Sequence, residues 1–305
     1  MRYLLILLTL LSVACNGRRN RTDAPASPAP RVFLPAIPPS QLPPEERLEW
    51  MRWHYWDKFD FRDTLFLARA DSAQMIETYA QYILLLSLQP TDGAPMDSLM
   101  RKASVSRPML DYFAWLAQEV VHDPNSPLRN DEFYIPVLEA QLASSYYDEY
   151  ERLRPEYQLH FATQNRVGRP ANDLRYTLAS GATGTLYGLR AEYVLLFINN
   201  PGCPMCREIR ETILASPMLN ELVEQGRLKV LALYPDEELD EWFDHRAEIP
   251  AAWINGYDAG CRIREEGSYD LTAIPSLYLL DRNKRVLVKD STDVAAIEEA
   301  IDRAE

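Results

Sequence analysis

Hydrophobic and polar positions change their period twice along the chain. From Glu45 to about Gln164 apolar residues recur at helical spacing. Pro43-Pro44-Glu45-Glu46 places proline and acids ahead of Leu48, Met51, Tyr55 and Phe59, a helix start with an apolar stripe behind it. Asp71-Ser72 opens a second stripe through Met75, Ile76, Tyr79, Ile83 and Leu86, stopped near Pro90. Leu99 to Val105, Met109 to Val120, Ile135 to Leu142 and Tyr146 to Phe161 bring the expectation to about six helices, without a repeat period.

Beyond Arg166 the pattern turns to alternation and short unbroken apolar runs. Leu174 to Ala179 and Thr185 to Leu189 flank Ser180-Gly181-Ala182-Thr183-Gly184, which predicts a hairpin. Val194 to Ile198 has the length and branching of a fully buried strand, and Ile209, Ile213 and Leu214 after it recur as in a helix. A helical piece from Ser216-Pro217 to Gln225, a strand from Leu228 to Tyr234 and an acidic helix with Leu239, Trp242 and Phe243 follow. Trp253 to Asp258 predicts a short strand or ordered loop, with a helix near Cys261. Leu277 to Asp281 and Arg285 to Val288 make the last hairpin, and Asp293 to Ala304 a closing helix capped by Ser291 or Thr292.

The first 44 residues belong to neither pattern. Arg2, the apolar stretch Leu4 to Leu11 and Ser12-Val13-Ala14 have the makeup of a secretory signal, too short for a spanning helix. Cys15 directly after Ala14 resembles a bacterial lipobox, with Ser12 where leucine is usual; this implies lipidation of Cys15, with plain secretion or an uncleaved anchor as alternatives. Asn16 to Pro44 carries four arginines among many prolines and reads as an extended tether.

Composition narrows the classes. A hydrophobic content of 47% in 305 residues supplies cores for two modest domains, and the net charge of -13 disfavours nucleic acid. The aromatic stretch Trp50, Trp53, Tyr55, Trp56, Phe59 and Phe61 suits core packing, with a ligand groove as the alternative. His54, His122, His160 and His245 are scattered without metal-ligand spacing, so no metal site is assigned.

The chemistry concentrates in Cys203-Pro204-Met205-Cys206, at the turn from the buried strand into the next helix. Unpaired N–H groups and the dipole at a helix N-terminus favour an anion, so the Cys203 thiolate is expected to be stabilised, with a pKa of roughly 3.5–7.5 as in other helix-N-terminal cysteines. Arg207 and Arg210 are candidate contributors. Cys206, one turn on, is the candidate resolving thiol. Cys261 is left over, as a buried small hydrophobe or as a further resolving or regulatory thiol. Zinc on the three cysteines would lack a fourth ligand.

Strand-C-x-x-C-helix, then strand and helix, then Ile274-Pro275 opening a strand, a hairpin and a helix, resembles the thioredoxin fold. Gly168-Arg169-Pro170-Ala171-Asn172-Asp173-Leu174 and its hairpin look like the entry of the extracytoplasmic TlpA-like and redoxin-like branch. Trp56 to Phe61, Asp123 to Asn130 and Tyr134 to Glu139 resemble an uncharacterised helical domain that precedes a thioredoxin-like domain in Bacteroidetes lipoproteins. The implied α+β architecture is a signal with lipobox cysteine over 1–15, a tether over 16–44, an all-helical domain over 45–165 and a thioredoxin-like α/β domain with a central mixed sheet over 166–305.

The resemblance implies a cis-proline loop at Ile274-Pro275 facing the cysteine pair and offering strand-like hydrogen bonds to an extended substrate. It implies no cofactor. Family members often carry tryptophan just before the first cysteine and a buried aspartate six residues before it, where this chain has Gly202 and Phe197. Pro204-Met205 also lacks the histidine of strong oxidants, so the expected role is that of a moderate reductant or isomerase. The expected activity is disulfide exchange with exported proteins in the cell envelope, on a lipid anchor and recharged by a separate thiol-disulfide electron donor. The alternative is a lipoprotein that binds a partner or ligand through its helical domain. A thiol peroxidase would need Thr or Ser at position 200, which is Asn200.

Overall fold

The structure, a computed structural model, describes residues 30–88 and 93–304. The signal segment and Cys15 lie outside the described residues. The N-terminal half comprises α1 (Pro44–His54), α2 (Thr64–Leu67), α3 (Ser72–Ser87), α4 (Ala94–Ala103), α5 (Arg107–Ala117), α6 (Asp131–Ala143) and α7 (Glu149–Thr163). A π-helical turn, Gln118–His122, prolongs α5. Asp71 caps α3 by accepting from the Gln74 N–H, and Asp148 with Glu151 forms a capping box on α7.

Two sequence expectations are corrected here. The stripe drawn from Leu48 to Phe59 is not one helix: α1 ends at His54 and has no fully buried residue, and burial falls instead on Tyr55, Trp56 and Phe59 in the turn after it. Residues 31–36, expected to belong to the tether of 16–44, are docked on the helical half. Arg31 bridges to Ala70, the Ala36 N–H donates to the Tyr55 carbonyl, and Phe33, 5% exposed, stacks on Trp56 at 5.0 Å between ring centroids. Aromatic area of this size outweighs the ordering entropy of a few residues, so the segment docks although its composition is linker-like. Trp56 in turn meets Phe113 edge-on at 5.2 Å, and most of the aromatic stretch is core.

The C-terminal half carries β1 (Arg175–Leu178), β2 (Thr183–Thr185), β3 (Tyr193–Ile198), α8 (Pro204–Ala215), α9 (Pro217–Glu224), β4 (Leu228–Tyr234), α10 (Leu239–His245), β5 (Ile254–Tyr257), α11 (Arg262–Glu266), β6 (Ser276–Asp281), β7 (Val286–Ser291) and α12 (Val294–Asp302). The seven strands form one mixed sheet in the order β2-β1-β5-β4-β3-β6-β7. β3, β4 and β5 run parallel, and β6 is antiparallel to β3.

β3 explains its own unbroken hydrophobicity. Tyr193, Leu195 and Phe197 enter one core with α8, α9 and α12, whereas Val194, Leu196 and Ile198 enter the core on the opposite face. Burial of each such side chain stabilises by about 1.5–3 kcal/mol, which fixes the sheet's centre. The hairpin differs from expectation: only Thr185 of the stretch from Thr185 to Leu189 is strand, because Leu186 and Leu189 turn inward as core. The cap of α12 is Asp293, which accepts from the Ala295 N–H, rather than Ser291 or Thr292.

The halves are joined by buried charge. Arg129, in the loop before α6, pairs with Asp290 of β7. Lys289 donates to the carbonyls of Phe161, Ala162 and Gln164 at 3.0, 3.0 and 2.6 Å and pairs with Asp131 at 2.6 Å. A cation from one half thus satisfies the orphan carbonyls at the end of α7 in the other.

Candidate active site

Asn199-Asn200-Pro201-Gly202 turns the chain from β3 into α8, with Gly202 at φ +69°, the left-handed region that glycine enters without strain. Pro204 occupies the first helical position, where its missing N–H costs nothing. Cys203 is the N-cap, and its Sγ accepts from the Cys206 N–H at 3.2 Å, the place an Asp or Ser oxygen usually takes. The sulfur therefore lies on the helix N-terminus, half-exposed beside Met205, which is 50% exposed.

Cys206 points the other way. It is 3% exposed, packed with Ile209 and Ile213 on the inward face of α8. Burial pushes its thiol up to about 12, helped by the neighbouring Cys203 sulfur. The Asn200 N–H lies 3.5 Å from its Sγ. The two thiols are unlinked, one accessible and one sheltered.

The Ile274–Pro275 peptide bond is cis. Ser276, which follows it, pairs with Ile198 at the end of β3, five residues before Cys203. Cys203 and Ile274 both pack against the core that contains Phe197, Cys206 and Leu277. Cys203, Cys206, Ile274 and Pro275 are thus brought together at one end of the central strands. Phe197, in the family's aspartate position, is buried edge-on to Trp253 at 6.4 Å and offers no proton acceptor.

Two expectations around the site change. Arg210 is engaged with Glu248 at 3.0 Å. Cys261 is half-buried rather than core; it sits at φ +49° ahead of α11, and burial pushes its thiol up. A polar chain beside Cys206 was also missed: the Asn200 amide donates to Asp236 at 3.2 Å, and Asp236 pairs with Arg264. A signal for it existed, since parallel β3 and β4 necessarily set the residues after their C-terminal ends side by side. No signal announced the Asp290 carboxylate accepting from the Ser276 hydroxyl at 2.5 Å, which ties the residue after the cis-proline to Arg129.

Among the described residues no group of His, Cys, Asp and Glu could hold a metal, and no helix is long and apolar enough to cross a membrane.

The sheet order, the C-x-x-C at the start of α8 and the opposed cis-proline define a thioredoxin-like fold. A crystal structure of a thioredoxin-like protein from Bacteroides caccae is 43% identical, covering 90% of this chain and 99% of that one with a TM-score of 0.83. The chain belongs to this thioredoxin-like family. Residues 14–165 match the family model described as a domain of unknown function, DUF5106. Two Bacteroides fragilis structures each cover 46% of this chain and 99% of their own. One, the C-terminal domain of an uncharacterized protein, is 52% identical with a TM-score of 0.44. The other, a conserved protein of unknown function, is 36% identical with a TM-score of 0.42. A search of the curated proteins finds no match.

Proposed function

We propose that this protein is a thiol-disulfide oxidoreductase that exchanges disulfides with exported proteins through Cys203 and Cys206. The observation that carries the reading is the asymmetry of the pair: Cys203 presents its sulfur at the N-terminus of α8, whereas the Cys206 thiol is sheltered and protonated at neutral pH. Cys203 as thiolate attacks a client disulfide, forming a mixed disulfide and releasing one client thiolate, which takes up a proton. Cys206 then loses its proton and attacks the Cys203 sulfur; the Cys203–Cys206 disulfide forms and the second client thiol leaves. Two electrons have passed from the dithiol to the client, and a separate thiol-disulfide donor restores the dithiol.

The backbone at Ile274-Pro275 aligns the client strand over Cys203. With Phe197 and Gly202 in place of the family's aspartate and tryptophan, and no histidine between the cysteines, the pair is a moderate reductant or isomerase rather than a strong oxidant. Lipidation at Cys15 holds it in the cell envelope. The deciding experiment is a redox titration of the full chain across graded glutathione, read by thiol labelling. A reversible two-electron transition of Cys203 and Cys206 is expected; a pair locked in one state overturns the reading. A potential near that of DsbA, about -120 mV, overturns the assigned direction.

A further inference from the structure

A cavity of about 360 Å³ lies where the two halves meet, within the size range of ligand sites. The π-helical turn after α5 and the second half of α7 form one wall; Asp270, Thr272, Ala273, Lys289 and Asp290 form the other. Ala273 leads directly into Ile274–Pro275, and Asp290 holds Ser276 just beyond the cis bond. The cavity therefore opens on the segment over which a client strand is laid.

Its charges are unequally committed. Of the arginines and lysine that line it, Arg129 is paired with Asp290 and Lys289 with Asp131 and three carbonyls, while Arg154 donates only to the Gln118 side chain. Against Arg154 stand three carboxylates that line the same space without an ion pair among the described residues, Glu119, Asp123 and Asp270, so the uncommitted charge is net negative. Tyr157 and Phe161, 4.9 Å apart between ring centroids, add an apolar side on which an aliphatic stem or a guanidinium can lie.

We propose that this cavity is a specificity subsite that takes an arginine or lysine side chain of the client polypeptide, two residues from its reacting cysteine. The inference rests on the oxidoreductase reading above. An extended strand advances about 3.3 Å per residue and repeats its facing every second residue, so with the client cysteine over Cys203 near Pro275 a side chain two positions on reaches the Thr272–Ala273 wall. A helical domain fused ahead of the thioredoxin-like one then selects which disulfides reach the dithiol.

The test uses the full chain in mild detergent with three disulfide peptides carrying Arg, Ala or Glu two residues from one cysteine. Oxidised glutathione serves as the small disulfide. The Arg peptide is expected to exceed the Glu peptide by about tenfold in kcat/KM at low salt, the equivalent of about 1.4 kcal/mol, and less at high salt. The Glu119→Gln, Asp270→Asn double variant should bring that ratio close to one. Equal rates for the three peptides in the wild-type chain overturn the subsite, whether or not the variant folds. So does a ratio that the double variant leaves unchanged. Failure to reduce glutathione disulfide as well as every peptide overturns the oxidoreductase reading itself.

Discussion

β3 sends every side chain into one of two cores, whereas α1 of the helical half buries none of its own fully and leaves that task to Tyr55, Trp56 and Phe59 beyond its end. In the thioredoxin-like half the core strand and the chemistry are continuous: Ile198 ends β3 and Cys203 begins α8. The helical half has an aromatic cluster closed by Phe33, a residue outside every helix. Its contribution to the site arrives indirectly, through Arg129 and the cavity wall. One half therefore exposes its function in a motif, and the other holds it in tertiary placement.

The comparison breaks most sharply at Cys203. Cys203→Ser should abolish disulfide turnover altogether while changing folding stability by no more than about 0.5 kcal/mol, since a half-exposed serine is itself a good N-cap. Turnover assays beside urea unfolding check both parts. Residual turnover above background would move the nucleophile elsewhere.

Phe33→Ala should behave in the opposite way. Loss of a buried, stacked phenyl ring costs about 3 kcal/mol, read as a lower urea midpoint, with turnover per folded molecule unchanged. A chain begun at Glu45 should show a similar loss. If either variant keeps the wild-type midpoint, residues 31–36 are a tether after all and the aromatic core closes without them.

How far the sequence could be read follows the same division. The strand at Val194–Ile198, the dithiol at a helix start and a proline opening β6 were legible because each rests on neighbours in sequence: burial on both faces, an orphan helix terminus, a missing N–H. Phe33 was not, because nothing within the proline-rich segment indicates that Trp56 waits for it. Asp290 was not either: an aspartate at φ +48° in a terminal strand gives no sign in the sequence that it bonds Ser276 and meets Arg129 from another domain. Asn200 and Asp236 lie between these cases, recoverable once parallel neighbours are assumed. The cysteine half of the site was local, and the groups that surround it are matters of topology.

The smallest predicted effect concerns His122, at the end of the π-helical turn on the cavity wall. Its ring stacks on Tyr134 with centroids 4.4 Å apart, and its Nε2 lies 2.9 Å from the Gln158 amide nitrogen. That amide nitrogen can only donate, so the neutral ring accepts at Nε2 and carries its proton on Nδ1, which is buried without a partner. Protonation would set two donors against each other in a sheltered place. Burial, and after it the charge of Arg129, accordingly hold the imidazole below the ordinary histidine value of 6.5. The unfolded chain then binds a proton that the folded chain refuses, so His122 contributes stability that is complete above about pH 6.5 and is lost as the pH falls through the folded value. Asp290 acts with the opposite sign, because burial raises its carboxyl, but it is common to both chains when wild type is compared with His122→Gln. Urea midpoints measured from pH 7.5 down to 5.5 should fall more steeply in the wild type than in the variant. Parallel profiles would mean that the ring meets water in the folded state, and that the π-helical wall is looser than the core behind it.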